Sequence, residues 1–479
     1  MINFLNRNFF IDPKKTFLFF SGIAVIIILC SLNIPFFWDN VVTGEYLLHY
    51  FDTSFMDFIP PTVSDFGALT LNSYYLALFC ALFGKSLLVC HLAMIPIVVG
   101  IFWETKNISL KCIRPSCLFL VYLFLLFDPA FITQTLLMGY DLFLLYFVLL
   151  AIRTLLEKKY SIYSISLLML TTLSFRAMFF IFSLFIIHAF MVFFHEKSRL
   201  KITDVLVYVP AILFLIFWCV FHYIKTGWVI INPMNTVHLS TNDLQMVFRQ
   251  LIYILWKITD SGRIVLWLFC IICFFIFYTK NIAENGLKKM SSFLIVPLAI
   301  NSIIMIFLSN PIGHKYFLQT FVFLTIITVY FIQNIASGKM KILISTACLL
   351  LLFAGNFIVY PQKYGNAWET SLKVLPYFSL EKELKNYIIE KNINPENVYT
   401  YYPITNNYKY TYLQENFAFA HADNAEPDTC PYFIVSNIYN IKNPGEAEKV
   451  TKGWLLLKHF CKGQIYMTLW QNPSAGVHE

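Results

Sequence analysis

Long apolar runs, parted by short charged connections, set the pattern of this chain. A run of about 17–25 apolar residues is long enough to cross the hydrocarbon core as a helix, with every backbone group bonded inside the segment. Such runs recur at 16–37, 87–103, 116–131, 142–156, 162–175, 177–194, 204–223, 263–279, 291–309, 316–334 and 342–359, some of them short for a full crossing. The pattern predicts eleven spans. Residues 66–86 are also apolar, but Asn72 interrupts them and Gly84-Lys85 ends them. They predict a helix lying along the membrane surface. The loop 224–262 predicts a second outer element, an amphipathic helix near 243–257.

The basic residues arbitrate the orientation. The connections 1–15, 104–115, 153–160, 195–203, 280–290 and 335–341 together carry 17 Lys and Arg, against 7 on the other side up to residue 360. The N-terminus is therefore expected in the cytoplasm, and everything after residue 360 outside. Counting 66–86 as a crossing would invert every later loop and put the basic clusters outside. The first run follows Arg7, Lys14 and Lys15 like a signal peptide. It is too long for one and lacks a small-residue cleavage site, so a retained first span is expected.

After Pro361 the pattern changes. Leu380, Leu384, Tyr387 and Ile388 fall on one face of a helix over 378–391. Val398-Tyr402, Tyr432-Val435, Trp454-Phe460 and Gln464-Trp470 read as strands, the last two forming a hairpin through Cys461-Lys462-Gly463. The expected architecture is an all-α polytopic membrane domain (1–360, with outer loops 38–86 and 224–262) followed by a small extracytoplasmic α/β domain (361–479). Cys430 and Cys461 fall in that second domain, where an oxidising compartment would let them pair or leave two isolated thiols. The other cysteines lie in or beside apolar segments, where Cys acts as a small hydrophobe. No internal repeat relates the two halves, which counts against inverted-repeat transporter designs.

Composition sharpens this. The chain is 58% hydrophobic and 13% charged, with 50 Phe and 28 Tyr, and its mean hydropathy is +0.65. An ordinary soluble protein is excluded. The formal net charge of +8 reflects membrane orientation, not nucleic-acid affinity. Against that background the polar stretch after the first run stands out: Asp39, Glu45, Asp52, Asp57 and Asp65, with no Lys or Arg before Lys85. The acids either keep a loop outside the membrane or line a site at its surface.

Further charges recur at span ends on the same side: Asp141, Arg176, and the group Gly313-His314-Lys315-Tyr316. Charges at that depth are costly unless they line a wet cavity. Each has a plainer reading: Asp141 as a helix cap, Arg176 snorkelling to headgroups, His314 and Lys315 as a basic loop. Their shared face, beside the acid loop, argues for one site.

In that order, Trp38-Asp39, Leu82-Phe83-Gly84-Lys85-Ser86, Gly139-Tyr140-Asp141, Phe175-Arg176 and His314-Lys315-Tyr316-Phe317-Leu318, the chain resembles the GT-C class of polyprenyl-phosphate-dependent glycosyltransferases. That group includes the glycosyltransferase family 39 protein O-mannosyltransferases and the lipid A aminoarabinose transferase, and the resemblance covers roughly residues 1–340. It implies a catalytic Asp in the first outer loop, which falls on Asp39, and a lipid-linked sugar donor used on the outer face. Two departures stand out: Asn40 where the family often has a second acid, and Gly67-Ala68-Leu69-Thr70 where many relatives carry a Gly-His-Pro-Pro-like stretch.

The residues fit that chemistry in outline. A carboxylate beside an acceptor hydroxyl serves as general base, and cations stabilise the departing phosphate. Asp39 is the expected base. Arg176, His314, Lys315 and Tyr316 are expected to face the donor phosphate, Asp141 to orient a donor or Arg176, and Glu45 and Asp65 to contact substrate. No residue spacing demands a structural metal; a divalent cation, Mg or Mn, bridging carboxylate and phosphate stays open. The expected partners are a polyprenyl-phosphate-linked sugar, a lipid, glycan or protein acceptor, and membrane lipid, with no nucleic acid. The expected setting is a bacterial cytoplasmic membrane. A lipid-linked sugar flippase and an inactive scaffold of the same fold are the alternatives.

Overall fold

The computed structural model describes residues 11–61, 65–195, 197–229, 232–233, 244–279, 285–307, 312–335, 337–360, 367–424, 430–438, 450 and 452–474. Helices α1 (Pro13–Cys30), α2 (Val41–Asp52), α3 (Leu71–Phe83), α4 (Leu87–Ser109), α5 (Leu118–Phe127), α6 (Pro129–Leu136), α7 (Asp141–Leu156), α8 (Tyr160–Thr171) and α9 (Ala177–Phe190) come first. They are followed by α10 (Ile202–Leu206), α11 (Val209–Thr226), α12 (Leu244–Thr259), α13 (Arg263–Thr279), α14 (Asn285–Ile306), α15 (Leu318–Asn334) and α16 (Gly338–Gly355). Among the described residues, seven helices are long and apolar enough to cross a membrane, or nine spans if two bent pairs each count as one. This is an all-helical, multi-pass membrane bundle.

The expected run 116–131 is broken. Asp128 ends α5 and caps α6, its Oδ1 accepting from the Ala130 and Phe131 amides at 3.0 and 3.1 Å, and the axis bends by 66°. Proline at the first position of α6 needs no amide partner there. The runs expected at 142–156 and 162–175 are the helices α7 and α8, which are shorter than the crossing length. The first expected run also ends early: α1 stops at Cys30, and Ser31 bonds back to the Ile28 carbonyl at 2.8 Å. The two surface elements are present as helices, α3 and α12, and α12 meets α13 at 90°.

Burial sorts the bundle. The segment His314–Asn334, containing α15, is 94% buried, whereas α16 is 22% buried. Apolar side chains such as Leu213, Ile216, Phe275, Ile342 and Leu343 are left exposed on the outer helices. A helix apolar on all sides belongs inside, and an exposed apolar belt on its neighbours fits a lipid environment.

The C-terminal portion holds α17 (Leu375–Glu390), α18 (Tyr408–Thr411) and strands β1 (Val398–Thr400), β2 (Ala420–His421), β3 (Tyr432–Ser436), β4 (Leu455–Lys462) and β5 (Ile465–Gln471). The sheet order is β2-β1-β3-β5-β4. The first pairs are parallel, and β3-β5 and β4-β5 are antiparallel. The expected hairpin is present, but Cys461 and Lys462 pair within β4, and the turn is made by Gly463, at φ 63°, and Gln464. Cys461 faces Tyr466, while Tyr432, next to Cys430 and Pro431, faces Gln471. Five residues of strand, about 17 Å, separate the two ends. A disulfide needs Cα atoms within about 7 Å, so this sheet does not bring Cys430 and Cys461 into bonding reach.

Candidate active site

The stretch after α1 is held by the C-terminal portion. The Phe36 amide donates to the Thr411 carbonyl at 3.0 Å. Phe37 packs edge-on against Phe378 at 5.4 Å, and Trp38 against Tyr402, also at 5.4 Å. A Cβ on Gly44 would collide with the Tyr410 carbonyl, so α2 and α18 meet backbone to backbone. These contacts fix the 3-10 turn Trp38–Asn40 that carries Asp39.

Lys315 enters from a second 3-10 turn, His314–Phe317, just before α15. Its Nζ donates to Asp39 Oδ2 at 2.8 Å and to Glu369 Oε2 at 2.7 Å. The Lys315 side chain is fully buried and Glu369 nearly so, while Asp39 keeps 42% of its side chain exposed. Buried charges persist only when paired, and this ammonium has two carboxylates. Burial pushes the Glu369 carboxyl up to about 7, the Asp39 charge adding to the rise and Lys315 opposing it. Apart from Lys315, the Asp39 carboxylate has no hydrogen-bond partner among the described residues. It is a carboxylate with one oxygen fixed and one available.

Beside it, Arg176 and Asp141 form a close ion pair. The guanidinium lies 4.3 Å from the Tyr316 ring centre and 5.5 Å from that of Tyr140. Asp141, Lys315, Tyr316 and Gln319 line a small cavity with Leu144, Leu145, Val148, Phe180 and Leu318. Asp141 Oδ2 and Gln319 Oε1 on that lining, and Arg176 Nε beside them, are buried without a protein partner. Such groups are unstable unless water or a ligand meets them.

The structure thus brings together Asp39, Asp141, Arg176, Lys315 and Tyr316. His314 turns away. Its Nε2 meets Asp260 Oδ2 at 2.9 Å and its Nδ1 meets Thr370 Oγ1 at 3.3 Å, while the Tyr360 hydroxyl donates to Asp260 Oδ1 at 2.5 Å. Asp65 is spent elsewhere. Its carboxylate meets His222 Nε2 at 2.8 Å, accepts from the Tyr46 hydroxyl at 3.1 Å and accepts from the Gly67 amide at 2.8 Å. That knot ties the 38–86 loop to α11. Glu45 lies half-buried on α2, outside the Lys315 contacts.

Both departures from the family pattern have structural uses. The Asn40 amide donates to the Leu137 carbonyl and accepts from the Tyr140 amide, each at 3.4 Å. A carboxylate could not make the first bond. Gly67, at φ 77°, sits under Trp228 and Phe175, and its carbonyl accepts from Trp218 Nε1 at 2.7 Å.

Two functional candidates lay outside the sequence reading. Glu369 comes from a segment with no periodic pattern, and nothing in the linear sequence relates it to Asp39. Lys257, on the last turn of α12, is 7% exposed and packs 4.4 Å from the Trp256 ring centre. No carboxylate lies within ion-pair distance of it among the described residues. Lys373 neighbours it, held by the Ile358 carbonyl at 2.9 Å, and burial lowers its ammonium to about 8.

Lys315 occupies the space between Asp39 and Glu369, which leaves only the second Asp39 oxygen for a divalent ion shared with a donor phosphate. Among the described residues no group of three His, Cys, Asp or Glu side chains could hold a metal.

The chain aligns with the crystal structure of ArnT from Cupriavidus metallidurans bound to undecaprenyl phosphate at a TM-score of 0.54. The match spans 95% of this chain and 97% of that one, at 11% sequence identity. The fold is that of ArnT. The apo structure of the same ArnT aligns over 76% of this chain and 69% of that one, with a TM-score of 0.47 and 11% identity. No family model matches the chain, and no curated protein matches it significantly. At 11% identity the likeness to ArnT is one of fold alone.

Proposed function

We propose that this protein is a membrane glycosyltransferase moving a sugar from a polyprenyl-phosphate donor to a lipid, glycan or protein acceptor. The observation that carries the reading is Asp39: a half-exposed carboxylate, one oxygen held by a fully buried lysine, in a chain with the ArnT fold. The free oxygen takes the proton of an acceptor hydroxyl, which attacks the anomeric carbon. The bond from that carbon to the phosphate oxygen breaks, and the electron pair leaves with the polyprenyl phosphate.

The leaving phosphate needs cations. Arg176 and Lys315 already face carboxylates, so their fields are partly spent. Lys257 makes no ion pair among the described residues and supplies a further positive charge near Glu369. The apolar residues Leu244, Phe248, Ile252 and Leu255 on α12 are exposed and give a polyprenyl chain a surface to lie against. The basic-residue bias supports an outer-face site with the C-terminal α/β portion outside, and the proposed setting is a bacterial cytoplasmic membrane.

The test is transfer from radiolabelled polyprenyl-phosphate sugars by the purified protein in lipid, wild type beside Asp39→Asn. Label reaching an added acceptor extract only with Asp39 intact supports reaction class and base together. Binding of the donor without any transfer in the wild type would move the reading to a lipid-linked sugar flippase.

A further inference from the structure

Two cysteines outside the candidate site touch. Cys80, near the end of α3, and Cys90, in the first turn of α4, place their sulfurs 3.6 Å apart, and both side chains are buried. The two helices are joined by only three residues, Gly84-Lys85-Ser86, with Gly84 at φ 97°. Ser86 caps α4 by accepting from the Val89 amide at 3.3 Å. A second tie, from the Tyr75 hydroxyl to the Ala93 carbonyl at 2.8 Å, fixes the same pair of helices. The thiols are therefore presented to each other by a braced hairpin. Closing them to a bonded distance of about 2.05 Å takes a small adjustment of two short side chains.

Their side of the membrane follows from a neighbour. His91, next to Cys90, contacts the Ser31 hydroxyl at 3.2 Å and the Ile34 carbonyl at 2.9 Å. Those residues lie between the end of α1 and Asp39. The thiol pair thus sits at the same membrane end as Asp39, which the basic-residue bias places outside the cytoplasm. Thiols held in contact in an oxidising compartment form disulfides.

We propose that Cys80 and Cys90 form a disulfide that staples α3 to α4. The oxidant is a disulfide-bearing protein of the extracytoplasmic space, acting before α3 packs and buries the thiols. One cysteine thiolate attacks the oxidant's disulfide and forms a mixed disulfide. The second thiolate displaces the oxidant sulfur, so the pair loses two electrons and two protons and the oxidant leaves as a dithiol. The staple stiffens the α2–α3–α4 frame that holds the Asp39 turn, in which Asn72 on α3 donates to the Thr43 hydroxyl on α2 at 3.3 Å.

The test is peptide mapping of the full chain, alkylated in denaturant directly from cells without reductant. The expected result is a linked Cys80–Cys90 peptide, lighter than the thiol form by two hydrogens. It takes up label only after reduction, and Cys348, buried inside the bundle, is labelled without reduction. Cys80→Ser should leave Cys90 open to alkylation. Reductant should lower the unfolding temperature of the wild type and leave that of Cys80→Ser/Cys90→Ser unchanged. Full alkylation of both cysteines without reductant would overturn the proposal. None of these readouts depends on transferase activity.

Discussion

Two carboxylates at helix ends, Asp128 and Asp39, meet buried cations in opposite ways. Asp128 is saturated: Arg263 Nε and Nη2 donate to its two oxygens at 2.7 and 2.8 Å, and two amides of α6 add to the set. The Arg263 guanidinium also lies 3.7 Å from the Phe321 ring centre on α15. Asp39 receives one bond from Lys315 and keeps much of its side chain open to solvent. A carboxylate with both oxygens engaged by buried donors is a joint, while one with a free oxygen can exchange protons. The charge at a span end looks alike in the two cases. The number of engaged oxygens separates structure from chemistry.

The sharpest way to break the comparison is at the joint. Arg263→Met strands the buried Asp128 and is expected to cost about 3–5 kcal/mol, read as a lower unfolding temperature in lipid. Adding Asp128→Leu should recover only part of that loss: it removes the stranded charge, but the Ala130 and Phe131 amides lose their cap.

A buried acid in the C-terminal portion supplies the next effect. Glu381 accepts from the Tyr377 hydroxyl at 2.9 Å and the Tyr412 hydroxyl at 2.6 Å. Burial pushes it up to about 7 from an ordinary 4.5, with both hydroxyls and Lys385 opposing the rise. The folded state therefore holds this proton more tightly than the unfolded chain does. Its contribution is fully present below about pH 4.5 and is lost as pH rises to about 7, on the order of 3 kcal/mol across that window. Denaturation of the wild type against Glu381→Gln at several pH values should show the slope only in the wild type.

Lys315→Met comes third. It leaves Asp39 and Glu369 without their shared cation, but Glu369 can take up a proton near neutrality and limit the damage to about 2 kcal/mol. Glu369→Gln in the same chain should restore part of the stability. It should not restore transfer.

Much of this was legible in the sequence because the membrane imposes a coarse code. Apolar runs and their basic connections mark the helices, and Asp39, Asp141, Arg176 and Lys315 were visible as charges that such runs do not tolerate without purpose. The break in the third run carried a signal as well: Asp128-Pro129 is a capping acid followed by a residue suited to the first helical position. Pairing was not legible. Nothing local says that Asp65 is bound by His222, 157 residues away, while Asp39 keeps an oxygen free. Glu369 lies 54 residues beyond Lys315, in a segment without periodicity, and Lys257 read as one more charge on an amphipathic helix. Short-range pattern gives elements; tertiary packing decides which charges are spent.

The most direct test sets Asp39→Asn beside Asp65→Asn, each measured for both unfolding temperature and sugar transfer. Asp39→Asn should lose no more than about 1–2 kcal/mol, because Glu369 still pairs with Lys315, and transfer no sugar. Asp65→Asn should unfold at a lower temperature, because its buried bonds to His222 and the Gly67 amide are weakened. Full transfer by Asp39→Asn would contradict the assignment of Asp39 as the base.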